Sequence, residues 1–362
     1  MGYFGRGGEQ DDEQAESLAR IEAGGIPRRA EERLGMLGRG DALFTSGLSV
    51  NEFALLDRLG PQPLAQVMGA SVVRTGWQYL PALDPAPVTF SAPGRMYGGP
   101  TPTGWAATNR YTEPSMSQIR NYQWHVTVVC ELDVFSDAWN LARRRALDRL
   151  TEEALQVGAD AVVGVHLHRS DHDLGNGTIE YVVSGTAIGF PGSDSTSWPI
   201  LTDVSVQDYW RLRSAGHEPA GLLAATVVVF ASPPRDTRLR RARNPTRNQE
   251  LEELSRAFFR ARETLRARLL GQVADAHAAG AVGIEFAHEV RREKFALGSS
   301  LTGTAQRGWH IGRFGMPYRV TGRGDTERRG WMITMHTAGT AVRPGRAAPA
   351  GPIKTSMRMG FT

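Results

Sequence analysis

His166 and His168 stand two residues apart in the stretch GADAVVGVHLHRSDHD, Gly158 to Asp173. On a β-strand, residues at i and i+2 share a face, so two imidazoles at this spacing could chelate one metal ion. Asp171, His172 and Asp173 follow at once and could add further ligands. A set of nitrogen and oxygen donors suits a divalent transition metal such as Zn, Ni or Cu. The competing reading is a strand that leaves the core after Val165 and turns a polar face to water.

Arginine supplies the second constellation. RDTRLRRARNPTR carries Arg235, Arg238, Arg240, Arg241, Arg243 and Arg247 ahead of a long helical pattern. With Arg256, Arg260, Arg262, Arg266 and Arg268 behind them, one side of the chain's second half is cationic. Such a patch can hold nucleic acid, an anionic membrane surface or an acidic protein, or it can be a solvated segment of an arginine-biased protein. No aromatic residues interleave with it, which argues against a platform for stacking single-stranded bases.

Other chemistry is sparse. Cys130 is the one cysteine, so neither an internal disulfide nor a cysteine-based zinc site can form within a chain. In WHVTVVCEL it reads as a small core residue on a strand. Phosphate-cradling loops, H-E-x-x-H and G-x-S-x-G are missing, and no spacing assigns an acid–base pair. We expect a non-enzymatic protein.

The elements that must carry these residues follow from length and pattern. With 362 residues, 41% hydrophobic and 22% charged, the chain suits about two globular domains. Net charge is +4, and Lys294 and Lys354 are the sole lysines. The longest apolar run, Gly221 to Ala231, is far short of the ~20 residues of a spanning helix. No secretory leader is legible, and the expected compartment is the cytoplasm.

An internal repeat organises the chain. SVNEFALLDRLGPQPLAQVMGASVV, from Ser49, aligns without a gap to SVQDYWRLRSAGHEPAGLLAATVVV, from Ser205. Each opens on a capping box, Ser49 with Glu52 and Ser205 with Asp208. Each short helix runs to a glycine, Gly60 or Gly216, and then into a β-branched strand. ALQVGADAVVGVHL (from Ala154) is answered by VADAHAAGAVGIEF (from Val273), and IEYVVSGTAI (from Ile179) by ITMHTAGTAV (from Ile333).

The unit is therefore helix, strand, long helix, strand, strand, at 43–192 and again at 198–344. The first long helix is expected to begin near Ser136, the second behind a capping box at Thr246 and Gln249. Residues 1–42 form a polar extension with a helix over 14–22 and another after Pro27. Segments 81–121 and 291–328 read as insertions, and 345–362 as an extended tail.

GADAVVGV, a polar turn and IEYVVSGTAI, behind a helix that ends in glycine, resemble the YbjQ-like family, named for heavy-metal binding. In the first unit Gly158-Ala159-Asp160-Ala161-Val162-Val163-Gly164-Val165 and Gly185-Thr186-Ala187 match the family pattern. The second unit matches more weakly, through His277 to Gly283 and Gly339-Thr340-Ala341. The resemblance implies an α+β fold of two tandem two-layer repeats, each an antiparallel sheet crossed by a long helix. It also implies assembly into a five-fold ring. A tandem chain could meet this as a homopentamer of two stacked rings, the favoured expectation, or as another closed ring.

Overall fold

The computed structural model describes residues 6–39, 44–76, 78, 80, 127–172, 177–192, 198–243, 246, 248–296, 309–311, 317–319 and 327–345. The described chain is α+β. Two helices open it, α1 (Arg6–Glu22) and α2 (Arg28–Gly38), the latter entered through Pro27. They are tied by surface ion pairs, Arg29 to Glu13 at 2.9 Å and Arg28 to Glu16 at 3.3 Å, each worth about 0–1 kcal/mol.

The first sheet has the order β1-β4-β3-β5. It follows α3 (Val50–Leu59) with β1 (Gln62–Arg74), then β3 (Ala161–His172), β4 (Thr178–Gly189) and β5 (Ile200–Leu201). The long helix α4 (Asp133–Gln156) crosses it. The second sheet has the order β2-β6-β10-β7. Its strands are β2 (Val128–Glu131), β6 (His217–Ser232), β7 (Gly280–Ala296) and β10 (Glu327–Pro344). It is served by α5 (Val206–Ser214), α6 (Arg235–Arg243) and α7 (Glu252–Asp275). A short ribbon, β8 (Trp309–Ile311) with β9 (Pro317–Arg319), lies between β7 and β10 in sequence.

The helix starts follow both local and distant bonds. Ser49 closes the full capping box, accepting from the Glu52 amide while Glu52 takes the Ser49 amide at 2.8 Å. At α5 the Ser205 hydroxyl accepts from the Asp208 amide at 3.1 Å, but the Asp208 carboxylate takes the Ser205 hydroxyl at 3.0 Å. The expected boundaries of the long helices are corrected. α4 starts at Asp133 rather than Ser136, because the Leu132 amide is already held by the Val228 carbonyl at 2.8 Å. Ser136 instead accepts from the Val228 amide at 2.9 Å. α7 starts at Glu252 behind Leu251, with no side-chain cap; Thr246 and Gln249 lie ahead of it.

Two exchanges interlock the sheets. β2 precedes α4 in the chain yet pairs with β6, Cys130 opposite Phe230. β5 precedes α5 yet pairs with β3, Leu201 beside Val162. As a result α4 is buried on two sides. Ala142, Ala146 and Leu150 face Val67 and Val183 of the first sheet, while Trp139 reaches Phe230 and Met332 of the second through one continuous core. Trp139 makes edge contacts with Tyr181 of the first sheet and His336 of the second, at centroid distances of 6.4 and 4.9 Å. Asn140 donates to the Thr226 carbonyl at 2.9 Å and accepts from the Thr226 amide at 3.1 Å. α7 buries one face only, Ala257, Ala261, Leu265 and Leu269, against Val227, Val229 and Ile333.

Candidate functional site

A bulge decides where the histidines point. In β3 the register to β4 slips between Val163 and His166. Gly164 sits there at φ +59°, a left-handed conformation that glycine adopts without steric cost. Before the bulge Val162 and Val163 are both buried; after it His166 and His168 are both exposed. They lie opposite Ser184 and Val182 of β4, on the sheet face turned away from α4. The pairing of the two imidazoles on one face is as the spacing requires.

The other expected ligands cannot be placed beside them from the described residues. Asp171 and His172 belong to the end of β3, but the structure does not describe their side chains, and Asp173 lies outside the described residues. Among the described residues no group of three or more His, Cys, Asp or Glu side chains is placed to hold a metal ion. Two imidazoles fall short of the four-ligand shell that zinc prefers, so the described part of one chain offers a partial fit to the implied metal.

The geometry adds two residues that the sequence did not single out. His166 borders a cavity of about 180 Å³ whose walls also include Glu52 and Asp203. Asp203 is pushed up from the usual carboxylate range by burial, with the Thr340 hydroxyl acting against that shift. Burial works to raise Glu52, but its bonds to the Ser49 hydroxyl and to the Ser49 and Val206 amides together hold it below its usual range. The signal for Glu52 was its capping box, which read as structural; Asp203, near the start of the second unit, carried none. A second, apolar cavity of about 320 Å³ lies between α3 and α5, lined by Leu56, Val163, Ile188, Tyr209 and Arg213.

Within the arginine stretch Arg235–Arg243 forms a helix, α6. Arg238 is exposed. Arg241 is not free, since it forms a fork onto the buried carboxylate of Glu253. The side chains of Arg235, Arg240 and Arg243 are not described, and Arg247 lies outside the described residues. Arg268, behind them on α7, is spent on Glu131 at 2.6 Å and on the Thr226 carbonyl at 2.7 Å. The cationic side is thus partly neutralised from within.

Cys130 behaves as a core residue. Burial pushes its thiol up to about 11, reinforced by Asp133 and opposed by Arg328, so it stays protonated and poorly nucleophilic at neutral pH. His336 is also structural. Its Nδ1 lies 2.9 Å from the Thr226 hydroxyl, and burial, aided by Arg169 and Arg143, lowers it to about 3.

Comparison with known proteins fits this architecture. Residues 119–190, which take in β2, α4, β3 and β4, match the family model described as "Putative heavy-metal-binding". This part of the chain is a YbjQ-like domain. Over 263 residues the chain is 27% identical to an "Encapsulin nanocompartment protein" of Mycobacterium tuberculosis, covering 71% of this chain and 82% of that protein. Two UPF0145 proteins from strains of Halobacterium salinarum are each 45% identical over 58 residues, 16% of this chain and 54% of their own length. No solved structure matches at comparable stringency. Among the described residues no helix is long and apolar enough to cross a membrane.

Proposed function

We propose that this chain is a non-enzymatic, self-assembling binding protein of the cytoplasm, built from two YbjQ-like units and closed into a ring, with a homopentamer as the expected form. The observation that carries it is the large apolar side chains exposed on ordered elements: Val50 at 85%, Phe259 at 64% and Phe286 at 57%. Exposed apolar side chains gathered on one element, as Ile284, Phe286 and Val290 are on β7, mark a surface meant for a partner. A relative whose name ties it to an encapsulin nanocompartment supports an assembled state.

Metal coordination is the chemical part of the reading. His166 and His168, exposed together on one face, would supply two imidazoles to Zn, Ni or Cu, and a further copy could complete the shell. Native mass spectrometry of untagged protein purified without chelator tests both parts. A closed oligomer that loses stoichiometric metal on combining His166→Ala with His168→Ala supports them. A metal-free oligomer removes the metal, and a monomer removes the assembly.

The second reading is an anion-binding adaptor acting through 235–268. It is favoured by Arg238, Arg262 and Arg266, all exposed on α6 and α7. It requires polyanion binding that weakens steeply with salt and with loss of Arg238. Binding insensitive to both would remove it.

A further inference from the structure

The contact between the two units of one chain leaves a matching contact unfilled, among the described residues, on the far side of each unit. At the filled contact, the segment that leads into α5 lies along β3. The Gly164 amide donates to the Val204 carbonyl at 3.0 Å and the Val165 amide to the Thr202 carbonyl at 2.9 Å, while the Thr202 amide donates to the Val162 carbonyl at 2.9 Å. α5 then lays Val206 and Tyr209 into a cluster with Ala161, Val163 and Ile188, leaving them only 3% and 8% exposed.

Among the described residues both halves of this contact recur unfilled, apart from the Phe44 ring 6.0 Å from that of Phe53. On the receiving side, β7 carries the same bulge as β3. Gly283 sits at φ +66°, and the register to β10 slips between Ala338 and Thr340. β7 ends its sheet among the described strands, and Val282, which holds the place of the buried Val163, is only half-buried. On the donating side, α3 stands where α5 stands in the repeat. Its Val50 and Phe53 occupy the positions of Val206 and Tyr209, yet they are 85% and 46% exposed. The lead-in segments also correspond: the Gly47 amide donates to the Thr186 hydroxyl at 3.1 Å, as the Asp203 amide does to Thr340 at 3.2 Å.

We infer that β7 of one chain receives residues 44–53 of a second copy, which add backbone bonds along the Gly283 bulge and bury Val50 and Phe53 against it. The occupant is a second copy because the lead-in and helix that fit this edge are the chain's own, presented at its other end. An exposed strand edge is a ready template for such pairing. The contact is heterologous, head to tail, so it repeats until a ring closes. It sets units one after another along a single path, unlike the stacked rings expected from the sequence. The inference rests on the self-assembly proposed above and names its surfaces.

The test uses full-length chains and native mass spectrometry. Wild type is expected to be a closed oligomer. Val50→Asp combined with Phe53→Asp removes the donor, and Val282→Asp removes the receiver; each is expected to be monomeric alone. Mixed in equal amounts they should give a one-to-one dimer, since one retains a sound β7 and the other a sound α3. That dimer also shows that both variants are folded. A monomeric wild type overturns the self-assembly reading and this inference together. An oligomeric wild type whose assembly survives either variant, or whose two variants stay monomeric when mixed, overturns the head-to-tail contact alone.

Discussion

Glu153 and Gln272 do one job in two places. Near the end of α4, Glu153 accepts from the backbone amide of Met68 on β1 at 2.9 Å. Near the end of α7, Gln272 accepts from the amide of Ala224 on β6 at 3.0 Å and donates to its carbonyl at 2.9 Å. Each side chain satisfies a strand where the ladder has no further strand to offer: β1 at the edge of its sheet, and β6 at Ala224, beyond the reach of β2. Burial raises Glu153 above its usual range, against the Met68 amide and Arg33.

The exchange Glu153→Gln should therefore be tolerated. It keeps the acceptor for Met68, gives up the ion pair to Arg33 at 2.9 Å, and should cost about 1 kcal/mol or less. Glu153→Leu strands the amide and should cost about 1–3 kcal/mol. Urea midpoints of the two variants measure the gap; equal midpoints would refute the shared role.

Thr337 offers a gain. Its hydroxyl is buried and, among the described residues, has no hydrogen-bond partner. Val183 holds the matching place on β4 and is fully buried. Thr337→Val should stabilise the second unit by roughly 1 kcal/mol, because it replaces an unsatisfied polar group with an apolar one of like shape. Thermal unfolding reads it, and a lower Tm counts against it.

His277 stands at φ +49°, the one non-glycine with positive φ among the described residues, where the first unit has Gly158 at φ +67°. Ending α7 this way costs a residue with a Cβ about 1 kcal/mol. His277→Gly should recover part of that, up to about 1 kcal/mol. No change in the denaturant midpoint would mean that the histidine is held by contacts worth the strain.

His336 sets an acid limit. Its pKa is near 3 when folded and about 6.5 when unfolded. The unfolded chain binds the extra proton, so stability falls as pH drops below 6.5 and goes on falling to about 3, by about 1.4 kcal/mol per pH unit. Above 6.5 this residue adds no pH dependence. In His336→Gln the midpoint difference between pH 7.5 and 5.5 should shrink by about that amount; an unchanged difference would place the acid sensitivity elsewhere.

Several of these features are legible in the residues alone. Chemistry confined to neighbours in sequence can be read directly: the Ser49 capping box, the shared face of His166 and His168, the core stripe Ala142, Ala146, Leu150, and a recurring order of elements. The sequence likewise marks Cys130 as a small core residue, since it alternates with apolar neighbours.

Tertiary structure alone decided where each surface goes. β2 and β5 cross into the other unit's sheet, and no local pattern distinguishes a strand that pairs at home from one that pairs away. α4 and α7 share a stripe, yet Asn140 is buried against Thr226 while Phe259, in the matching place, is 64% exposed. The polar residue is inside because it completes backbone bonds, and the aromatic one is outside because, among the described residues, no further layer covers α7. Periodicity tells a helix which face to bury against its own sheet. Whether the opposite face meets a second layer depends on bonds made across the chain, such as Asn140 to Thr226, and these exist only once the two sheets have come together.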